Sequence, residues 1–128
     1  DALTRLRYTM VETEAYGFNK GRDEQMALGQ KVRALLTDYG FISVAAEGFK
    51  APGVVVSFTT DPGLQSSKKF LEVGLQTAAG VPLQCDEGPD FMTFRLGLFG
   101  LDKWHDSDAA VASLEKALAV VAPQTTTA

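Results

Sequence analysis

The sequence is poor in two residue types that often carry chemistry. Its 128 residues include one cysteine, Cys85, and one histidine, His105. A single cysteine excludes an intramolecular disulfide and a cysteine metal cluster, and it is typical of a reducing compartment, so we expect a cytoplasmic protein. A lone histidine beside a tryptophan, just before a helix, is more often structural or exposed than catalytic.

Long apolar runs and an excess of basic residues are also missing. No apolar stretch approaches the roughly 20 residues that a membrane helix needs. The formal net charge is −4, whereas phosphate binding needs clustered lysine and arginine. We therefore expect neither a membrane nor a nucleic acid to be the partner.

Recognisable catalytic motifs are absent as well. There is no glycine-rich phosphate loop, no nucleophile elbow and no histidine–carboxylate spacing that suits zinc. The lysines stand in polar or turn contexts, unlike the desolvated lysine of Schiff-base chemistry. Residues 85–87 (CDE) are interpreted as a solvated loop, because no base or further ligand accompanies them. We expect no catalytic group and no metal ligand in this chain.

Helical periodicity predicts four helices in a chain that is 45% hydrophobic and 22% charged. The first ends near Gly17, and the second carries apolar residues from 28 to 39 with Asp23 in its first turn. The third runs from residue 66 or 67 to about 77, and Gly74 within it is taken to mark close packing. The last opens at Ser107 and stops at Pro123.

Three stretches rich in apolar and β-branched residues predict strands: 41–46, 54–59 and 91–100. The first two are expected to form an antiparallel pair. Residues 78–90 are predicted to be irregular, and residues 101–106 to be a connection. This order favours an α+β domain with a small, mostly antiparallel sheet and helices packed on one face.

Arg95 is the residue that most needs an explanation. In a strand, alternation sends residues 92, 94, 96 and 98 to the core and puts Arg95 on the opposite face, between the small residues Thr93 and Gly97. These small neighbours leave room above the guanidinium. A carboxylate of the protein or the anion of a ligand should therefore pair with it.

Three segments in order resemble the C-terminal part of class V aminotransferases, and most closely the alanine–glyoxylate and serine–glyoxylate group. The segments are residues 51–57 (APGVVVS), 74–81 (GLQTAAGV) and 94–100 (FRLGLFG), the last followed by a helix. The similarity extends from the second helix to the last. It implies a fold-type-I enzyme that uses pyridoxal phosphate, of which this chain is the small C-terminal domain.

The resemblance also implies roles. Arg95 matches the family's arginine that holds the α-carboxylate of a small amino-acid or oxo-acid substrate such as glyoxylate or pyruvate. The Schiff-base lysine, the acidic partner of the pyridine nitrogen and the phosphate-binding groups have no counterpart in this chain. They are expected in an N-terminal cofactor-binding domain, within a homodimer, so the chain alone should be inactive.

The same resemblance divides the chain. Residues 1–20 are expected to be a linker helix from the missing domain, 21–123 the small domain, and 124–128 a frayed tail. Because the chain begins at Asp1, we expect a fragment of something longer. Two alternatives stay open: a non-catalytic domain that binds an amino acid through Arg95, and a structural domain in which Arg95 makes an internal salt bridge.

Overall fold

The computed structural model describes residues 1–123. Within them the predicted α+β class and small antiparallel sheet are confirmed. The helices and strands, in chain order, are α1 Ala2–Tyr16, α2 Phe18–Asp38, β1 Val54–Phe58, α3 Pro62–Gln65, α4 Lys68–Glu72, β2 Ala78–Ala79, β3 Thr93–Gly97, α5 Leu101–His105 and α6 Ser107–Val121. The predicted frayed tail, residues 124–128, lies outside the described residues.

The sheet has the strand order β1-β3-β2, with both neighbours antiparallel to the central strand β3. The stretch 41–46 is not a full strand. It runs antiparallel to β1 through one bridge, Ser43 with Ser57, and through hydrogen bonds such as Val44 N to Val56 O at 3.0 Å. The predicted pairing is therefore correct, but it is shorter than expected.

Strand β2 lies in the segment predicted to be irregular, so that prediction is wrong at Ala78–Ala79. Two alanines carry neither the β-branched nor the aromatic signal by which a strand is recognised. The strand exists because the edge of β3 offers backbone hydrogen-bonding groups, which Ala78 and Ala79 pair opposite Arg95 and Phe94.

One face of the sheet meets the core. Val55, Phe94 and Leu96 are at most 4% exposed, as the predicted alternation requires. Helices α2, α3, α4 and α6 add apolar side chains to this same cluster: Leu28, Val32, Leu36, Leu64, Phe70, Leu114, Leu118 and Val121. The core therefore lies between these helices and one face of the sheet, in agreement with the predicted one-sided packing.

Helix α2 begins at Phe18, one turn earlier than the sequence indicated, and only Gly17 separates it from α1. Gly17 has φ 101°, a backbone conformation that side-chain-bearing residues rarely adopt. No residue of α1 is buried, and Leu3 is 77% exposed. The narrow apolar stripe of α1 thus stays largely exposed, and Tyr16 at the end of the helix contacts α5 through Trp104 and His105.

The third predicted helix is shorter than expected and is preceded by another helical turn. Asp61 caps α3 by accepting a hydrogen bond from Gly63 N at 2.8 Å, with Pro62 in the first turn. Gly74 does not mark close packing: it has φ 80°, and a Cβ added there would meet no atom within 4 Å. Its positive φ follows the end of α4 at Glu72, so the predicted continuation to residue 77 is wrong.

The end of the chain agrees with the pattern more closely. Helix α6 begins at Ser107 as predicted and ends at Val121, before Pro123. The supposed connection 101–106 is mostly the short helix α5, which the sequence analysis missed. None of the helices in residues 1–123 combines the length and apolar composition required of a membrane span.

Candidate functional site

Arg95 lies at the centre of the sheet on the face opposite the core. Its register partners are Val56 on β1 and Ala78 on β2. Val56 and Ala78 are partly buried, as is Arg95 itself. The Arg95 side chain therefore lies between two small apolar neighbours, which form an apolar floor on this face.

One nitrogen of the guanidinium is already engaged. Arg95 Nε donates a hydrogen bond to the Ala79 carbonyl oxygen at 2.8 Å. Among residues 1–123, no group accepts a hydrogen bond from the two terminal nitrogens, and no carboxylate forms an ion pair with Arg95. The internal salt bridge expected under the structural alternative is thus not formed by the described residues.

The space around Arg95 is open on one side only. A Cβ added at Gly97 would meet no atom within 4 Å, so the expected room exists on that side. Thr93 is only 1% exposed, and its hydroxyl has no hydrogen-bond partner among residues 1–123. Gly80 lies against Thr93, because a Cβ added to Gly80 would stand 1.8 Å from Thr93 O. An anion therefore has access from the Gly97 side.

The segment that holds Ala79 was not recognised from the sequence as part of the site. Gly80 N donates to Gln65 O at 2.9 Å, and Gln65 Nε2 donates to Gly80 O at 3.0 Å. Gln65, in α3, thus holds Gly80 by one backbone and one side-chain hydrogen bond. The only sequence signal was the run of small residues at 78–80, which permits close approach but does not identify a partner.

Arg33 is a second arginine that the sequence analysis missed. Its Nη2 donates to Ala51 O at 2.8 Å and to Val54 O at 3.2 Å, and its Nη1 donates to Ser43 Oγ at 3.3 Å. Burial lowers the pKa of the Arg33 guanidinium, and the charge of Glu47 partly opposes this shift. Arg33 therefore fixes the loop before β1 to α2, a role that no helical pattern reveals.

The loop interpreted as solvated is exposed at Cys85 and Asp86, but it is more ordered than expected. The Glu87 carboxylate accepts hydrogen bonds from the backbone N–H groups of Leu83, Gln84 and Cys85 at 2.5, 2.9 and 2.7 Å. These hydrogen bonds, with the Cys85 N–H contributing most, lower the pKa of Glu87 to about 2. Glu87 already has its partners and is not an acid or base candidate.

The lone histidine and the lysines lie at or near the surface. His105 is exposed, with its ring edge-on to Tyr16 at 5.1 Å between centroids. None of the lysines in residues 1–123 is buried, so none fits covalent attachment of pyridoxal phosphate. No cluster of three or more potential metal ligands occurs in that part of the chain.

A cleft of about 570 Å³ lies beside the site, lined by Gln65, Gly80, Glu87 and Thr93 among others. Arg95 is not one of its lining residues. The guanidinium thus lies outside this cleft, with Thr93 and Gly80 on one flank and open space at Gly97 on the other.

Comparison of the chain with known protein families and with curated proteins finds no match.

Proposed function

We propose that this chain is the C-terminal domain of a class V aminotransferase that uses pyridoxal phosphate, and that Arg95 binds the substrate carboxylate. One observation supports this: Arg95 is held through Nε, and its two terminal nitrogens have no partner within residues 1–123 and face the open side of the sheet. An arginine whose fork is free is suited to a carboxylate, which it binds through two parallel hydrogen bonds.

The cofactor supplies the carbanion chemistry when it is bound in the proposed N-terminal domain. The lysines described above do not fit its attachment, so this chain contributes binding and orientation of the substrate only. The apolar floor made by Val56 and Ala78 suits a small amino acid or oxo acid, such as glyoxylate or pyruvate. The intact enzyme is proposed to be a homodimer.

Kinetics of the proposed full-length enzyme, in which an N-terminal cofactor-binding domain precedes this chain, test this function. We expect that protein to bind pyridoxal phosphate and to transfer an amino group to glyoxylate or pyruvate. Arg95→Ala should raise KM for the carboxylate substrate about tenfold or more, because a charge-assisted bidentate contact is lost, and should leave the absorbance of the bound cofactor unchanged. Arg22→Ala, at an exposed position of α2, is the matched control and should leave KM unchanged.

Two results would contradict the proposal. A full-length protein that neither binds pyridoxal phosphate nor transfers an amino group would eliminate the aminotransferase. In that case, the chain could still bind an amino acid, and loss of this binding in Arg95→Ala would support the alternative, a non-catalytic amino-acid-binding domain. An unchanged KM in Arg95→Ala would remove the role of Arg95.

A further inference from the structure

We infer that Gln65 and Gly80 are positioning residues that aim Arg95. They hold the Ala79 carbonyl against Arg95 Nε, so that a carboxylate can be bound only end-on, through the two terminal nitrogens. The assignment of the carboxylate rests on the proposed function, whereas the positioning itself concerns this chain alone.

The first step is the contact between Ala79 and Arg95. Arg95 Nε donates to Ala79 O at 2.8 Å, a normal strong distance for such a bond. A guanidinium can bind a carboxylate side-on, through Nε and one terminal nitrogen, or end-on, through both terminal nitrogens. Because Ala79 occupies Nε, only the end-on arrangement leaves every existing hydrogen bond in place.

The second step is how Ala79 is held in position. Strand β2 has only two residues, too few for the sheet alone to hold it in place. Gln65 fixes the next residue, Gly80, from both sides: its carbonyl oxygen accepts from Gly80 N at 2.9 Å, and its Nε2 donates to Gly80 O at 3.0 Å. Helix α3 thus anchors the peptide that follows the Ala79 carbonyl.

The third step is the absence of a side chain at residue 80. A Cβ at Gly80 would stand 1.8 Å from Thr93 O and 2.7 Å from Thr93 Oγ1. Backbone atoms cannot yield by that much, so any larger residue would push the segment away from β3. Glycine is needed here for close approach of two backbones, and this approach brings the Ala79 carbonyl within reach of the guanidinium.

Together these contacts form a relay from Gln65 through Gly80 and Ala79 to Arg95. A binding group supported in this way loses little rotamer freedom when its ligand arrives. Gln65 and Gly80 do not touch the proposed ligand, and they act only through Arg95.

Nitrogen-15 NMR of the Arg95 side chain in the 128-residue chain tests the positioning without any substrate. In the wild type we expect a resolved Nε–Hε signal that exchanges slowly with water. Gln65→Glu keeps the size of the side chain but removes the donor to Gly80 O, and it should speed this exchange roughly fivefold, the loss of one hydrogen bond. Gly80→Ala should have at least the same effect. Gln76→Glu changes an exposed glutamine of the same region and should leave the exchange rate unchanged.

Acetate, added to the same samples as a probe, tests the end-on geometry. We expect acetate to shift the terminal nitrogen signals of Arg95 and to leave the Nε signal in place, with weaker binding in Gln65→Glu at an unchanged melting temperature. An Nε exchange rate that is the same in wild type and Gln65→Glu overturns the inference, even if Gly80→Ala fails to fold. An acetate-induced shift centred on Nε also overturns it.

Failure of the positioning and failure of the enzyme are separate results. If Gln65→Glu releases Nε but the longer protein shows no transamination, the aminotransferase is wrong and the relay stands. If transamination depends on Arg95 but not on Gln65, the aminotransferase stands and the relay is wrong.

Discussion

The two faces of β3 differ in how fully their side chains are packed and hydrogen-bonded. On the inner face, Phe94 is fully buried and packs against Phe41 and Phe70, with ring centroids 5.0 and 5.5 Å apart. On the outer face, the adjacent residue, Arg95, has one hydrogen bond and two terminal nitrogens without a partner in residues 1–123. The inner face is filled by packed side chains, whereas the outer face presents a charged group with room for a further hydrogen-bond acceptor.

The comparison extends to the two arginines that contact backbone carbonyls. Arg33 donates to two carbonyls and a serine through its terminal nitrogens, so both of these nitrogens already take part in hydrogen bonds within the fold. Arg95 donates to one carbonyl through Nε, so both of its terminal nitrogens remain without a partner in residues 1–123. The two arginines therefore differ in the nitrogens that bond to the fold. An arginine bonded through its terminal nitrogens stabilises the fold, whereas one bonded through Nε alone can still bind an acceptor.

The largest difference between the faces should appear when an aromatic ring is removed from each. We expect Phe94→Ala to destabilise the chain by about 3–5 kcal/mol, because it leaves a cavity under the sheet. Phe58→Ala, on the outer face at 40% exposure, should cost only about 1–2 kcal/mol, because it loses partial burial and an edge-on contact with Phe91. Urea denaturation of the 128-residue chain measures both. Equal losses would mean that the outer face is as tightly packed as the inner one.

A smaller effect should separate the two arginines. Arg33→Met is expected to lower the free energy of unfolding by about 1–3 kcal/mol, because the carbonyls of Ala51, before β1, and of Val54, its first residue, lose their donor. Arg95→Met should cost about 1 kcal/mol or less, since it loses a single hydrogen bond, but it should abolish binding of acetate. The same denaturation and acetate titration apply to both variants. If Arg95→Met proved the more destabilising, Arg95 would be a structural residue.

The smallest effect is a local one in the loop that contains Glu87. The pKa of Glu87 in the folded chain, about 2, is below the ordinary value of about 4.3. Its hydrogen bonds therefore contribute fully above about pH 4.3, and the contribution is lost as the pH falls toward 2.

Amide proton shifts of Leu83, Gln84 and Cys85 should report this transition together, with a midpoint near pH 2. Glu87→Gln, which carries no titrating group at this position, is the control and should remove the transition. A midpoint near pH 4 would show that the loop does not hold the Glu87 carboxylate. Glu87 would then no longer differ from Arg95 in having its hydrogen-bonding partners within the described residues.

Much of the fold was predictable because its signals are local. The apolar spacing in α2 and α6 and the alternation in β3 required only the helical and strand periods. The errors fall where the signal is not local. Ala78 and Ala79 form a strand only because β3 lies beside them, and Gly74 was assigned to packing although its positive φ follows the end of a helix.

The candidate site divides in the same way. Arg95 was identifiable because a charge in the middle of an apolar strand breaks the pattern, and the burial of its neighbours Phe94 and Leu96 agrees with that reading. Gln65 and Arg33 were not identifiable, because a polar residue on a helix looks solvated until the element opposite it is known. Their main partners are backbone carbonyls, which every residue carries, so no residue type in the sequence marks them.

The sequence by itself thus determined the α+β class, the inner face of the sheet and the prominence of Arg95, since each follows from the periodic placement of side chains along the chain. The tertiary structure decided which nitrogen of Arg95 bonds to a carbonyl, what holds that carbonyl in place, and which side of the guanidinium is open among the described residues. Those properties depend on carbonyl groups brought together from Ala79, Gly80 and α3, and no one-dimensional pattern records where distant backbone groups will meet.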